Sequence, residues 1–144
     1  MAVALDPVGN VSLVLQITIL FLLILGLPFV KGLESKENFI RHGYLTALAV
    51  VLHTVLIFVV MVPSFTNGLG EIGGLSFLDA FNVISHVVLG VTAEVLGVFL
   101  VAVWLRKGPS AMACSRWGKW MVPTFIIWVV SIVGGTLIHV LGML

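Results

Sequence analysis

The sequence predicts an all-α integral membrane protein, an up-down four-helix bundle with both termini outside. Three observations carry that prediction. Hydrophobic residues make up 60% of the 144-residue chain and charged residues only 9%, with a mean hydropathy of +1.25. A soluble domain carries about 25% charged residues, so this chain does not have enough charge to cover its own surface in water. Four apolar runs each approach the ~20 residues that a helix needs to cross the hydrocarbon core, and none alternates with the period of a barrel strand. All seven basic residues fall in two segments, Lys31, Lys36 and Arg41, then Arg106, Lys107, Arg116 and Lys119.

Taken in order, the first span covers Val11 to Val30. It lacks a basic leader and a small-residue cleavage site, so it reads as a retained helix and not a signal peptide. The loop 31–41 carries the first basic cluster, which the positive-inside rule places in the cytoplasm. The second span covers about His42 to Val62. After it an outer loop, Pro63 to Phe81, holds Gly68, Gly70, Gly73 and Gly74. That loop lacks the lysine of a phosphate loop, so nucleotide binding is not indicated. The third span runs from about Asn82 to Leu105, and the second basic loop, 106–119, is again cytoplasmic. The fourth span covers about Trp120 to Leu141. Trp104, Trp117 and Trp120 sit where an inner aromatic belt would lie. A multi-pass protein of the cell membrane follows, in contact with the lipid bilayer.

Composition also excludes functions. The single cysteine, Cys114, rules out a disulfide scaffold. A net charge of +1 gives no footprint for nucleic acid. No nucleophile, paired-carboxylate or dinucleotide signature is present, so no independent enzymatic activity is indicated. A carrier is disfavoured because the chain shows no internal repeat and no pair of broken helices.

The remaining chemistry lies in His42, His53, His86, His139 and Glu94. Ionisable groups within a span are costly and are functional candidates by default. Counting from the basic boundary at ~1.5 Å per residue gives their depth. His86 lies twenty residues before Arg106 and His139 twenty after Lys119, so both sit about 30 Å up, near the outer face. His53 lies twelve after Arg41 and Glu94 twelve before Arg106, which puts both in a middle layer about 18 Å up. His42 marks the inner boundary.

Each layer has two readings. His86 and His139, at equal depth on consecutive helices, have the placement of two axial ligands to haem b, with Gly90 and Gly135 making room for the macrocycle. Copper or zinc would also suit two imidazoles. The plainer reading makes them interfacial histidines bonded to carbonyls, with the glycines serving close helix packing and no cofactor bound. His53 and Glu94 read as a proton-handling or quinone-contacting pair, or as a mutually neutralised packing pair. His53 is also a candidate third cofactor ligand if span two is tilted. Met112 and Met121 are weak ligand candidates beside His42, and Cys114 reads as a reduced bystander.

Three stretches carry a resemblance: Arg41-His42-Gly43-Tyr44-Leu45, then Ser85-His86-Val87-Val88-Leu89-Gly90, then Arg116-Trp117-Gly118-Lys119-Trp120 followed by Pro123, Trp128, Ser131 and Gly134. Over roughly residues 36 to 140 the chain resembles a family of small four-helix, histidine-bearing membrane proteins of unknown function that includes haem–copper oxidase maturation factors. The resemblance implies a respiratory setting, with oxidase or other respiratory-complex subunits as partners. His139 is not part of that pattern, so its assignment as a ligand rests on the depth count. The leading expectation is a b-type haem protein acting in electron transfer or oxidase maturation. A cofactor-free accessory subunit and a copper or zinc handler are the competing classes.

Overall fold

The computed structural model describes residues 7–31, 36–68, 70, 72–107 and 111–141. The side chains of Lys31, Lys36, Met112, Cys114, Arg116 and Trp117, which figured in the expectations above, lie outside the described set. Every regular element in it is helical: α1 (Pro7–Lys31), α2 (Lys36–Leu56), a π-helical turn (Ile57–Met61), α3 (Val62–Gly68), a 3₁₀ turn (Ile72–Gly74), α4 (Phe77–Lys107) and α5 (Ala111–Leu141). Four helical stretches, of 21, 32, 31 and 20 residues, are long and apolar enough to cross a membrane. Large apolar side chains are exposed on all of them, for example Phe21 (58%), Phe58 (70%), Val95 (62%) and Val122 (63%). An outside of this kind suits lipid and not water.

The helix ends follow local chemistry. Pro7 opens α1, a position where its missing N–H would have no partner anyway. Ser76 caps α4: its Oγ accepts the Asp79 backbone N–H at 3.2 Å, and its hydroxyl donates to Asp79 Oδ2 at 2.7 Å.

The second span ends later than the sequence suggests. Pro63 reads as a stop, yet helix continues to Gly68. A proline inside a helix clashes with the carbonyl four residues back and offers no N–H. Here the turn before it widens to π geometry, with the Val62 N–H reaching the Ile57 carbonyl five residues back. The widening makes room for the ring, and the rod runs on.

The rods close on themselves. α1 packs on α2, α2 on α4, α4 on α5, and α5 on α1. At the centre lie Ile19, Leu23, Ala49, Val50, Leu56, Ala93, Trp128 and Ile132. Polar groups share this interior: Gln16, His53, Thr124 and Ser131 are all buried. Between helices in lipid there is little hydrophobic drive, so interior polar contacts and small residues are what specify the packing.

Candidate functional site

Each histidine ties one of the four packed helix pairs. His42 Nδ1–H donates to the Gly26 carbonyl at 3.0 Å, joining α2 to α1. His53 Nδ1–H donates to Glu94 Oε2 at 2.7 Å, joining α2 to α4. His86 Nδ1–H donates to the Ser131 carbonyl at 2.7 Å, joining α4 to α5. His139 Nε2–H donates to Asn10 Oδ1 at 3.3 Å, joining α5 to α1. The four are not equivalent. His53 and His139 meet side chains, whereas His42 and His86 use Nδ1 on a backbone carbonyl and give Nε2 no partner among the described residues. In a neutral ring so tied, Nε2 carries the lone pair. A ligating histidine has this arrangement, with its other N–H held by a carbonyl.

Each of these two imidazoles lines a cavity. The first cavity, about 470 Å³, is lined by His86 and His139 together with Gln16, Gly90 and Gly135. Because Gly9, Asn67 and His139 also line it, it lies at the end of the rods where the described chain begins and ends. The π turn contributes Ile57, Val60 and Met61 to its wall. The second cavity, about 380 Å³, lies toward the basic segments and is lined by His42, Thr46, Trp104, Thr124 and Trp128 among apolar residues.

Both glycines expected to admit a macrocycle reach the first cavity, but their missing side chains serve helix packing. A methyl group at Gly135 would lie 2.6 Å from His86 Cε1 and 3.0 Å from Gln16 Oε1. At Gly90 it would lie 3.1 Å from Ser131 Oγ. The space is therefore taken by the His86 ring itself and by the α4–α5 contact. Gln16 is a residue that sequence reasoning missed. Its Nε2 donates to Ser12 Oγ at 3.3 Å, while its Oε1 is buried without a partner. The available signal was Ser12 and Gln16 four apart, two polar residues on one stripe of an apolar span.

Between the cavities lies the middle layer, where His53 and Glu94 meet. Their side chains are 3% and 13% exposed. Thr54 bonds the other carboxyl oxygen, Oε1, and also contacts the Val50 carbonyl at 2.9 Å. A hydroxyl has one proton to give and can accept as well. The carboxyl group is thus contacted at both oxygens, Oε2 by His53 and Oε1 by Thr54. Trp128 lies against the His53 ring, centroids 5.0 Å apart. His53 bonds Glu94 and is absent from the wall of the first cavity.

Ligand arithmetic bears on which group would suit the first cavity. Among the described residues no three His, Cys, Asp or Glu side chains converge as a metal site. A bare zinc ion takes three or four protein ligands. Haem supplies four nitrogens of its own and asks the protein for one or two. His86 fits that demand as it stands. His139 fits it by exchanging the Asn10 contact, since its ring is also held against Gly9, where a methyl group would lie 2.7 Å from Cε1. No protein-family model, curated protein or solved structure matches the chain.

Proposed function

We propose that the chain is a small haem b-binding protein of a respiratory membrane, acting in electron transfer or in haem–copper oxidase maturation. In this reading it is an up-down four-helix bundle in the cell membrane with both termini outside and loops 31–41 and 106–119 in the cytoplasm. The clustering of all seven basic residues in those loops supports the orientation. The resemblance of residues 36–140 to the oxidase-maturation family supports the respiratory setting and respiratory-complex subunits as partners.

The observation that carries the proposal is the His86 ring, tied at Nδ1 to the Ser131 carbonyl, with no partner for Nε2 among the described residues, in the wall of a cavity that His139 also lines. Ser131 fixes the tautomer, so Nε2 is the nitrogen with a lone pair. Haem bound there would supply one-electron chemistry. Glu94 with His53 and Thr54 holds a proton at the next level down.

The test is an absorption titration of the detergent-purified chain with haem b. Wild type should give a saturable Soret band whose affinity falls at least ten-fold in His86→Ala and less in His139→Ala, while His42→Ala binds as wild type. An unsaturable band, or one indifferent to His86, overturns the proposal. One observation favours a second reading, a cofactor-free accessory subunit: each of the four histidines already ties a helix pair. That reading expects histidine variants to lose stability and to show no change in haem affinity.

A further inference from the structure

The haem reading makes no use of the second cavity, and two side chains in its wall stand out by what they leave unbonded. Six of the seven threonines donate their hydroxyl to the carbonyl four residues back, as Thr54 does to Val50. A threonine in an apolar helix commonly satisfies itself in this way. Thr46 is the exception: its hydroxyl has no partner among the described residues. One turn before it, His42 holds the Gly26 carbonyl through Nδ1 at 3.0 Å, and its Nε2 likewise has no partner among the described residues.

These two groups are also the ones that a ligand can meet. The indole nitrogens of Trp104 and Trp128, both wall residues, are occluded. Thr124 is 4% exposed and its hydroxyl is committed to the Trp120 carbonyl. Of the wall's side-chain nitrogen and oxygen atoms there remain His42 Nε2 and Thr46 Oγ1, neither of which is among the occluded ones. Four residues apart on α2, they lie on one face of the helix.

Their chemistry selects the occupant. Nε2 of a ring tied through Nδ1–H accepts only, whereas a threonine hydroxyl both donates and accepts. The group that satisfies both gives a proton to the imidazole and takes one from the threonine, which a single hydroxyl does. A bare carbonyl has no proton for Nε2. An ion would find no Lys, Arg, Asp or Glu in the wall among the described residues. The rest of the wall is apolar, with Leu23, Leu100 and Phe125. Leu27 and Val122 belong both to it and to the outer surface, at 41% and 63% exposure, so the cavity borders the lipid-facing side.

We infer that this cavity binds a membrane-soluble alcohol, a neutral lipid whose one hydroxyl bonds His42 Nε2 and Thr46 and whose apolar body fills the remainder. A volume of about 380 Å³ lies within the usual range for a small-molecule site. The inference concerns binding alone and does not depend on haem in the first cavity.

The probe is ω-bromoundecanol, because bromine quenches tryptophan fluorescence at contact and Trp104 and Trp128 stand in the wall. Titrated into the detergent-purified full chain, it should quench part of the emission saturably. Bromoundecane, which has the chain and lacks the hydroxyl, should quench only in proportion to its amount in the micelle. Thr46→Val keeps the side-chain shape and removes the hydroxyl, and His42→Leu removes the lone pair. Each should weaken binding of the alcohol about five-fold, the worth of one hydrogen bond. Val95→Ala, on the exposed face of α4, should bind as wild type. If His42→Leu fails to keep wild-type circular dichroism, Thr46→Val decides. Saturable quenching of equal affinity by bromoundecane, with water then serving the polar pair, overturns the inference. So does an affinity for the alcohol that is indifferent to Thr46→Val, or a linear response of equal slope in all variants.

Discussion

The two cavities begin alike and end differently. Each presents one imidazole tied through Nδ1 to a carbonyl of a neighbouring helix, His86 to Ser131 and His42 to Gly26. Around His86 the further polar groups are two amides, a second imidazole and two hydroxyls, from Gln16, Asn67, His139, Ser12 and Ser64. Around His42 they are two indoles and two threonines. The first set adds side-chain amides, hydroxyls and a second imidazole. The second adds two indoles whose N–H groups are buried without a partner among the described residues. One anchoring device thus stands in two different settings.

What divides the cavities is the middle layer, so breaking it should have the largest effect and should disturb both. Glu94→Leu strands the His53 ring in the interior, and removing one partner of a buried pair destabilises by roughly 3–5 kcal/mol. Glu94→Gln keeps an acceptor for His53 and a partner for Thr54 and should recover most of that loss. Thermal unfolding in detergent measures both. A Glu94→Leu protein as stable as wild type would mean that the contact contributes nothing to holding α2 on α4.

This layer was the most legible part of the site. Counting residues from the basic boundary put His53 and Glu94 at one level, and the structure brings them to 2.7 Å. Depth is legible because rise per residue is fixed in a helix. Rotation about the axis is harder to read, because it depends on which helix packs beside which. Equal depth therefore placed His86 and His139 at one cavity but did not reveal that Asn10 holds His139. The four spans were legible from hydropathy, but their ends were not: Pro63 read as a stop that the π turn averts, α4 starts at Phe77 within the expected outer loop, and α5 starts at Ala111 within the expected basic loop. Trp104 read as an interfacial belt residue. Its packing over Gly43 depends on a glycine sixty-one positions away in the chain, which no local pattern reports.

A pair of matched substitutions sharpens the comparison at intermediate magnitude. Gly135→Ala pushes on the His86 ring, and Gly43→Ala pushes on Trp104. Each overpacks a closed contact, with an expected loss of about 1–3 kcal/mol. Their functional readouts should separate. Gly135→Ala should weaken haem binding, and Gly43→Ala, beside the other cavity, should leave it intact. Cross-effects of equal size would mean that the cavities act as one.

The smallest effect tests the anchor itself. Ser131 offers His86 two oxygens, a carbonyl at 2.7 Å and a hydroxyl at 3.4 Å. The carbonyl is the shorter contact and belongs to the backbone, so Ser131→Ala leaves it in place. The hydroxyl also donates to the His86 carbonyl at 3.3 Å, a second bond across the α4–α5 contact. Losing it should lower stability by only about 0.6 kcal/mol, the average for interhelical hydrogen bonds in a membrane protein. Haem affinity should change less than two-fold. A loss as large as that of His86→Ala would move the anchor from the carbonyl to the hydroxyl. The tautomer argument would then fail, because a hydroxyl can donate to Nδ1 as readily as accept from it.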